Sequence, residues 1–509
     1  MKTQTGAIHR AKVWQLFGFS LNNIATNLYL WEMTFISYFL TGFVGVGVVV
    51  ASSLVTSMRI WDGITDPFIG FIVDKTNGRF GKNRPFIVLG QIVMAITSAV
   101  MYFVTPTLPE AHRFIAFILI YAVYIVGYTL QCVVTKSAQT CLTNDPKQRP
   151  MLAVFTGIGS VVTFSVLPYL SYTYLLRKHN FQFDIPFFAE QWKICSLASA
   201  ILSVIVIISL IEKDRTEYYG TGESIKTSFK DYWEIIKNNR AIQMLVVAAS
   251  TDKLATQAKS DATITMIVYA IVCGNAAVSG MLNVYTLVPN IIFMIFIAGY
   301  IAAKMGQKRS IEVSSWGGII CCVGLILLFI FGDPRTLSLP GDGVFTGWSF
   351  FTVAFMILTV LYGSFNNVNT NVVITMTADC ADYEVYRSGK YVPGMIGTLF
   401  SFIDKLVSSL SATLVGLMCA AIGFTQALPD ANTEYSTGIF IVGMVGMYGL
   451  VLIGLIFNII AMKHYPLTKE KMQEIQEEIA AIKAKNKNGA ATEQNVSHME
   501  KAVVDSALL

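Results

Sequence analysis

The chain has 509 residues, 54% of them hydrophobic and 14% charged, with a formal net charge of +5 and a mean hydropathy of +0.57. Soluble domains carry roughly 25% charged residues, and the basic residues here are dispersed in loops rather than gathered in a patch, which excludes a soluble enzyme and a nucleic-acid binder. Apolar runs of about 20 residues, each long enough to cross a ~30 Å hydrocarbon layer as a helix, recur along the chain. The fold class is all-α integral membrane.

The opening stretch MKTQTGAIHRAK is polar and basic, and the first apolar run is too long for a signal-peptide core, so no cleaved leader is expected. Spans centre on 15–43, 46–73, 86–105, 114–141, 151–173 and 191–211, then on 241–272, 280–303, 311–331, 346–376, 394–422 and 437–462. Twelve transmembrane helices follow, in an N-terminal six-helix bundle (1–213), a linker (214–240), a C-terminal six-helix bundle (241–463) and a tail (464–509). Lys and Arg collect in DKTNGRFGKNRP, in the linker, in KMGQKR and in the tail, which places those loops and both termini on the cytoplasmic side of an inner membrane. GKNR at 81–84 recurs as GQKR at 306–309. That echo predicts duplicated bundles with a central site between them. The linker reads as a short surface helix, and LTKEKMQEIQEEIAAIKAKNK in the tail as a solvated amphipathic one. Eight cysteines fall mostly inside apolar segments without metal-ligand spacing and read as small buried hydrophobes.

One run breaks the apolar pattern. SMRIWDGITDPFIGFIVDKTNGRFGKNRP (57–85) carries Arg59, Asp62 and Asp66 inside the second span. Ionisable residues in a span face the bundle interior or a water-filled path. Asp62 and Asp66 are four apart, hence on one helical face, with Arg59 a turn earlier. A structural ion-pair ladder is one reading. Two acids against one base leave a surplus negative charge, which favours a bound cation or a shared proton, and oxygen ligands suit a hard ion such as Na⁺.

This run, RIWDGITDP…G…DKT…GKNRP, together with GYTLQ in span four, TADCADYEVYR after span ten and FSFIDKLVSSLS in span eleven, resembles the glycoside–pentoside–hexuronide:cation symporters. These are the melibiose-permease-like branch of the major facilitator superfamily, and the likeness covers nearly the whole chain. It implies the major facilitator fold and a cation site at Asp62, Asp66 and Thr129. Thr65 stands where the family often has an asparagine, which leaves H⁺ or Li⁺ open beside Na⁺. The family's helix-eleven lysine, between sugar and cation, matches Lys405. At its sugar-binding positions this chain differs. Asn23 replaces a helix-one aspartate, Cys132 and Lys136 replace a helix-four aspartate and tryptophan, and Gly157 replaces a helix-five arginine. A galactoside is therefore not the expected substrate.

The residues available to rebuild that pocket are Trp31 and Glu32 in span one, Asp252, Lys253, Lys259 and Asp261 in span seven, and Asn366, Asn367, Asn369 and Asn371 in span ten. Ammonium groups bind carboxylates, while amides and aromatics bind sugar hydroxyls and ring faces. Internal pairing of Asp252 or Asp261 with a lysine, and interfacial exposure of Glu32, are the structural alternatives. Arg59, Asp74, Arg84, Asp379 and Asp382 fit a cytoplasmic gate network across the two halves. No phosphate-cradling loop is present, because GTGES in the linker lacks the spacing and the lysine.

The function expected is secondary active symport of a sugar, glycoside or sugar acid, with a hexuronide favoured by Lys136, driven by Na⁺ or H⁺ with no other cofactor. The partners are that small molecule and membrane lipid, with no nucleic acid and no obligate protein partner. A carrier of a non-sugar solute such as a lysolipid, and a non-transporting membrane sensor, are the rival readings.

Overall fold

The computed structural model describes residues 9–76, 78–143, 148–215, 237–345, 347–388 and 393–478. Residues 216–236 of the linker and the tail after 478 lie outside the described residues, as do the side chains of Asp74 and Lys136.

The described residues form twelve helical spans. α1 (Val13–Glu32) continues through a 3-10 turn (Met33–Phe35), a short helix (Ile36–Phe39) and a π turn (Leu40–Val44). α2 is Val48–Lys75, α3 Arg84–Ala99, α4 Glu110–Leu142, α5 Arg149–Pro168 with a π extension to Leu175, and α6 Ile185–Leu210. α7 (Arg240–Lys259) breaks at Ser260 and Asp261 before Ala262–Thr265 and a π segment to Val272. α8 is Ala277–Met305, α9 Gln307–Phe331, α10 Phe350–Ser388, α11 Pro393–Ala421, and α12 runs from Thr437–Met444 through a π turn into Leu450–His464. Eight of these are apolar enough to cross a membrane on composition alone. α1, α2, α7 and α8 are not among them on their own, although the last part of α7 (Ala262–Val272) and the start of α8 (Ala277–Asn290) are apolar enough together, across a bend of 107°.

Helices pack mainly within each half. α1 lies on α6 and α5, α3 on α4, α7 on α12 and α9 on α10. The halves meet at two crossings, α2 with α11 and α5 with α8. These pairs are equivalent by position, since each joins the second helix of one half to the fifth of the other. Small residues allow the close approach. A Cβ at Gly280 of α8 would lie 2.8 Å from the Pro168 carbonyl oxygen of α5, and one at Gly416 of α11 would fall on Ser52 of α2.

Apart from the bonds of Lys405 described below, the hydrogen bonds that tie the halves together among the described residues include four that lie between the mid-membrane and one end. Tyr38 Oη donates to Pro429 O (2.7 Å), Val48 N to Thr425 O (2.8 Å), Thr56 Oγ1 to Ser409 O (2.8 Å) and Thr173 Oγ1 to Ala277 O (2.8 Å). An aromatic cluster closes the same end, with Tyr38 stacked on Phe183 at 4.2 Å and Phe35, Phe39, Phe187 and Phe188 packed edge-on around it. We call this the far face. The opposite, basic face carries the 78–84 and 306–309 turns.

The basic turn is tied within its own half. Asp214, fully buried just after α6, accepts from Lys82 N (3.1 Å), Asn83 N (3.0 Å) and Arg84 N (3.0 Å), so its carboxylate caps the start of α3. Gly81 sits at φ +90°, and a Cβ there would collide with Asp214, so both the backbone angle and the space require glycine. The described start of the tail helix (469–478) is amphipathic, as expected, with most residues exposed and one edge against the second half. Ile475 is fully buried, Gln476 Nε2 donates to Asp382 Oδ2 (2.6 Å), and Lys471 lies over the Tyr386 ring.

Candidate functional site

A cavity of about 2410 Å³ lies between the halves. Its walls are mostly apolar and carry polar stripes. Asn23, Thr26, Asn27, Trp31 and Thr34 come from α1 and its 3-10 turn, and Ser279, Asn283, Thr286 and Asn290 from α8. The α8 stripe steps by 4, 3 and 4 residues, one face of a 3.6-residue helix. On α2 the lining continues past the charged residues to Phe68 and Phe71 at the basic end, beyond the last bond that ties the halves together.

At the α2–α11 crossing, Asp62 and Asp66 project from one face of α2 toward Lys405 of α11. Lys405 Nζ donates to Asp66 Oδ2 at 2.5 Å and to Asp62 Oδ2 at 3.2 Å. Asp404, one residue away, points elsewhere, as 3.6 residues per turn requires. Thr129 Oγ1 of α4 lies 3.0 Å from Asp62 Oδ1 and 3.1 Å from Thr65 Oγ1. Two carboxylates and two hydroxyls make an all-oxygen set that suits a hard monovalent cation or a shared proton. The side chains are 16% (Asp62), 33% (Asp66) and 36% (Lys405) exposed, so water in the cavity reaches all three.

The family model described as MFS/sugar transport protein matches residues 19–469. The chain belongs to this family. Among curated relatives, the glucuronide carrier protein homolog of Escherichia coli (strain K12) is 24% identical over 469 residues, covering 91% of this chain and 94% of that protein. The isoprimeverose transporter of Lactiplantibacillus pentosus is 24% identical over 472 residues, covering 88% and 90%. The solved structure of the nucleoside transporter NupG is similar in fold, with a TM-score of 0.57 at 15% identity, covering 90% of this chain and 99% of that one.

Other residues of this MFS sugar transporter singled out from sequence separate into groups. Asn23, Trp31, Arg59, Lys259 and Asp261 line the same cavity as the carboxylates. Asn23 Nδ2 donates to Ser160 Oγ (2.6 Å) and Trp31 Nε1 to Ser171 Oγ (2.8 Å), which fixes both against α5. Lys259 Nζ stands 3.7 Å from the centroid of the Tyr362 ring, and no carboxylate within 4 Å of it is found among the described residues. Asp261 caps the restart of α7, accepting from Thr263 N at 2.8 Å.

Glu32, Asp252, Lys253 and Asn367 do not line the cavity, which corrects the sequence expectation. Glu32 is fully buried inside the first half, because it follows Trp31 by 100° around α1 and so points away from the wall that Trp31 forms. Asp252, Lys253 and Asp404 lie close enough to act on one another between α7 and α11, two acids and one base, and no ion pair within 4 Å joins them among the described residues. The Asn367 carbonyl accepts from Asn371 Nδ2 one turn on.

Among the described side chains, which leave out Asp74, the gate residues are not assembled into one network across the halves. Arg59 stands in the central cavity beside Asp62. Arg84 Nε is 3.5 Å from Asp214 in its own half, and Asp382 is held by Gln476 of the tail in the other. Asp379 has no hydrogen-bond partner among the described residues. Sequence reading missed Asp214, the α8 stripe and Tyr362. The stripe was visible as polar residues at helical spacing, whereas Asp214 carried no local signal.

Proposed function

We propose that this protein is a cation-coupled symporter for sugars that carry a carboxylate, working by alternating access, with the basic face cytoplasmic and the cavity open toward it. The observation that carries the reading is the Lys405 ammonium held between Asp62 and Asp66 across the two halves. A cation entering from the cavity competes with that ammonium for the same oxygens. Na⁺, Li⁺ or a proton bound by the carboxylates releases Lys405, which then faces the cavity as a free donor for substrate. Substrate that engages Lys405 in turn leaves the carboxylates to the cation. Each ligand thereby raises the affinity of the other, as linkage requires.

Lys259 supports the substrate class. Its ammonium lies in the cavity wall against Tyr362 with no acidic partner among the described residues, a place suited to a sugar carboxylate whose ring face meets an aromatic. The names of the relatives, a glucuronide carrier homolog and an isoprimeverose transporter, support a glycoside or sugar acid. With both ligands bound, the charged crossing is neutralised and the far-face bonds can exchange for contacts at the basic face, where Asp74, Asp379 and Asp382 are the acids available to a gate.

The test is uptake by proteoliposomes of the full chain, with glucuronides and matched neutral glucosides under imposed Na⁺ or H⁺ gradients. Gradient-driven accumulation of the glucuronide, lost in Asp62→Asn and converted to neutral-glycoside preference or lost in Lys259→Met, is expected. Equal transport of both sugar classes regardless of Lys259, or accumulation independent of any cation gradient, contradicts the reading.

A further inference from the structure

Glu32 is left over from the site. It ends the regular part of α1, immediately before the 3-10 turn Met33–Phe35. Its side chain is fully buried, and neither Oε1 nor Oε2 has a hydrogen-bond partner. Every titratable or polar group that bears on it is uncharged. Tyr29 lies on α1 itself, Ser98 on α3, Tyr102 on the π turn that extends α3, Tyr124 on α4 and Cys195 on α6.

The hydroxyls around it are committed elsewhere. Ser98 donates to Met94 O (2.8 Å) and Tyr124 to Tyr29 O (2.8 Å), while Tyr102 donates to the main-chain oxygen of Glu32 (3.3 Å). Among the described residues no lysine, arginine or histidine acts on this carboxyl.

An ionised carboxylate in such a place would have neither water nor a counter-charge. The nearest hydroxyl, Ser98 Oγ, already gives its proton to Met94 O, so no donor in the described residues holds this carboxyl in its charged form. Its neighbours in the chain, Trp31, Met33 and Thr34, line the central cavity, as does Tyr124. The carboxyl is thus one layer behind a water-accessible wall, at the point where α1 is already broken.

We propose that Glu32 is a proton-binding site separate from the α2 carboxylates. It carries one proton in the conformation described and gives it up to cavity water when the 3-10 turn moves. The O–H bond breaks, the proton passes to water, and the carboxylate retains the electron pair.

Infrared difference spectra of the full chain in lipid vesicles test this, in an Asp62→Asn/Asp66→Asn background that silences the other pair. The expected result is a protonated-carboxyl band that is absent after Glu32→Gln, moves on transfer to D2O, and bleaches reversibly as pH is raised over the range in which the protein stays folded. Glu32→Asp should displace the band without removing it, which keeps the assignment testable if the Gln variant misfolds. A spectrum unchanged by both substitutions, or a Glu32 band inert to either D2O or alkali, overturns the proposal. Because the α2 pair is removed, failure here leaves the coupling site untouched.

Discussion

The two crossings that join the halves occupy equivalent places and are built differently. Where α5 meets α8 the contact is uncharged, with Gly280 seated on Pro168 and Thr173 bonded to Ala277 O. Where α2 meets α11 the far half is similar, with Gly416 on Ser52 and Thr56 on Ser409 and Thr413. Two turns further toward the basic face that same crossing carries Asp62, Asp66 and Lys405. One architecture thus packs closely in both places and carries charged side chains, among the described residues, in one. On the function proposed above, rocking belongs to the fold and coupling to the charged contact.

The comparison breaks most visibly if the charged crossing is neutralised. Asp66→Asn or Asp62→Asn is expected to abolish gradient-driven accumulation while leaving folded protein in the membrane, with apparent cation affinity falling by about tenfold or more, a loss of at least ~1.4 kcal/mol. Uptake in proteoliposomes, with yield from size-exclusion profiles, checks it. At the uncharged crossing Gly280→Val should instead cost stability, by about 1–3 kcal/mol for overpacking, since its Cβ would meet the Pro168 carbonyl oxygen. Thermal unfolding should show the loss, and the residual transport should keep its cation dependence.

Thr56→Val sharpens the contrast on the charged crossing itself. It removes bonds of 2.8 Å to Ser409 O and Thr413 Oγ1, costing about 1 kcal/mol without altering coupling. A change in cation dependence in this variant would blur the division between close packing and charged contact.

The smallest effect lies outside both crossings. His9 Nε2 lies 3.2 Å from Cys141 O, and burial together with the Lys213 charge holds the ring below its usual value of 6.5. A depressed imidazole contributes stability above 6.5 that is lost as pH falls through the folded value. Limited proteolysis near residue 9 should accelerate modestly between neutral pH and about pH 5, and His9→Gln should flatten that dependence.

The spans were legible because each needs about 20 apolar residues; most helices fall within a few residues of the runs read from sequence, whereas α10 continues past residue 376 to Ser388. The Asp62, Asp66 and Lys405 set was legible because intramembrane charges are rare and helical spacing fixes which ones share a face. What escaped depends on rotation about a helix axis or on long-range contact. Glu32 and Trp31 are adjacent in sequence, yet one is buried behind the wall that the other lines. Asp214 reads as an ordinary linker acid, and only the fold brings it under the 78–84 turn. Ile475 and Gln476 sit in a charged tail whose pattern resembles a solvated helix until its docking surface is assembled by α10 and α12.

The central claim is that Lys405 and the coupling cation compete for the same two carboxylates. Cation titration of the purified full chain, followed by the fluorescence of Trp61 beside Asp62, tests this most directly in wild type and Lys405→Ala. Removing the internal competitor should tighten cation binding while abolishing the dependence of that binding on substrate. Cation affinity that is weaker or unchanged in Lys405→Ala would contradict the account.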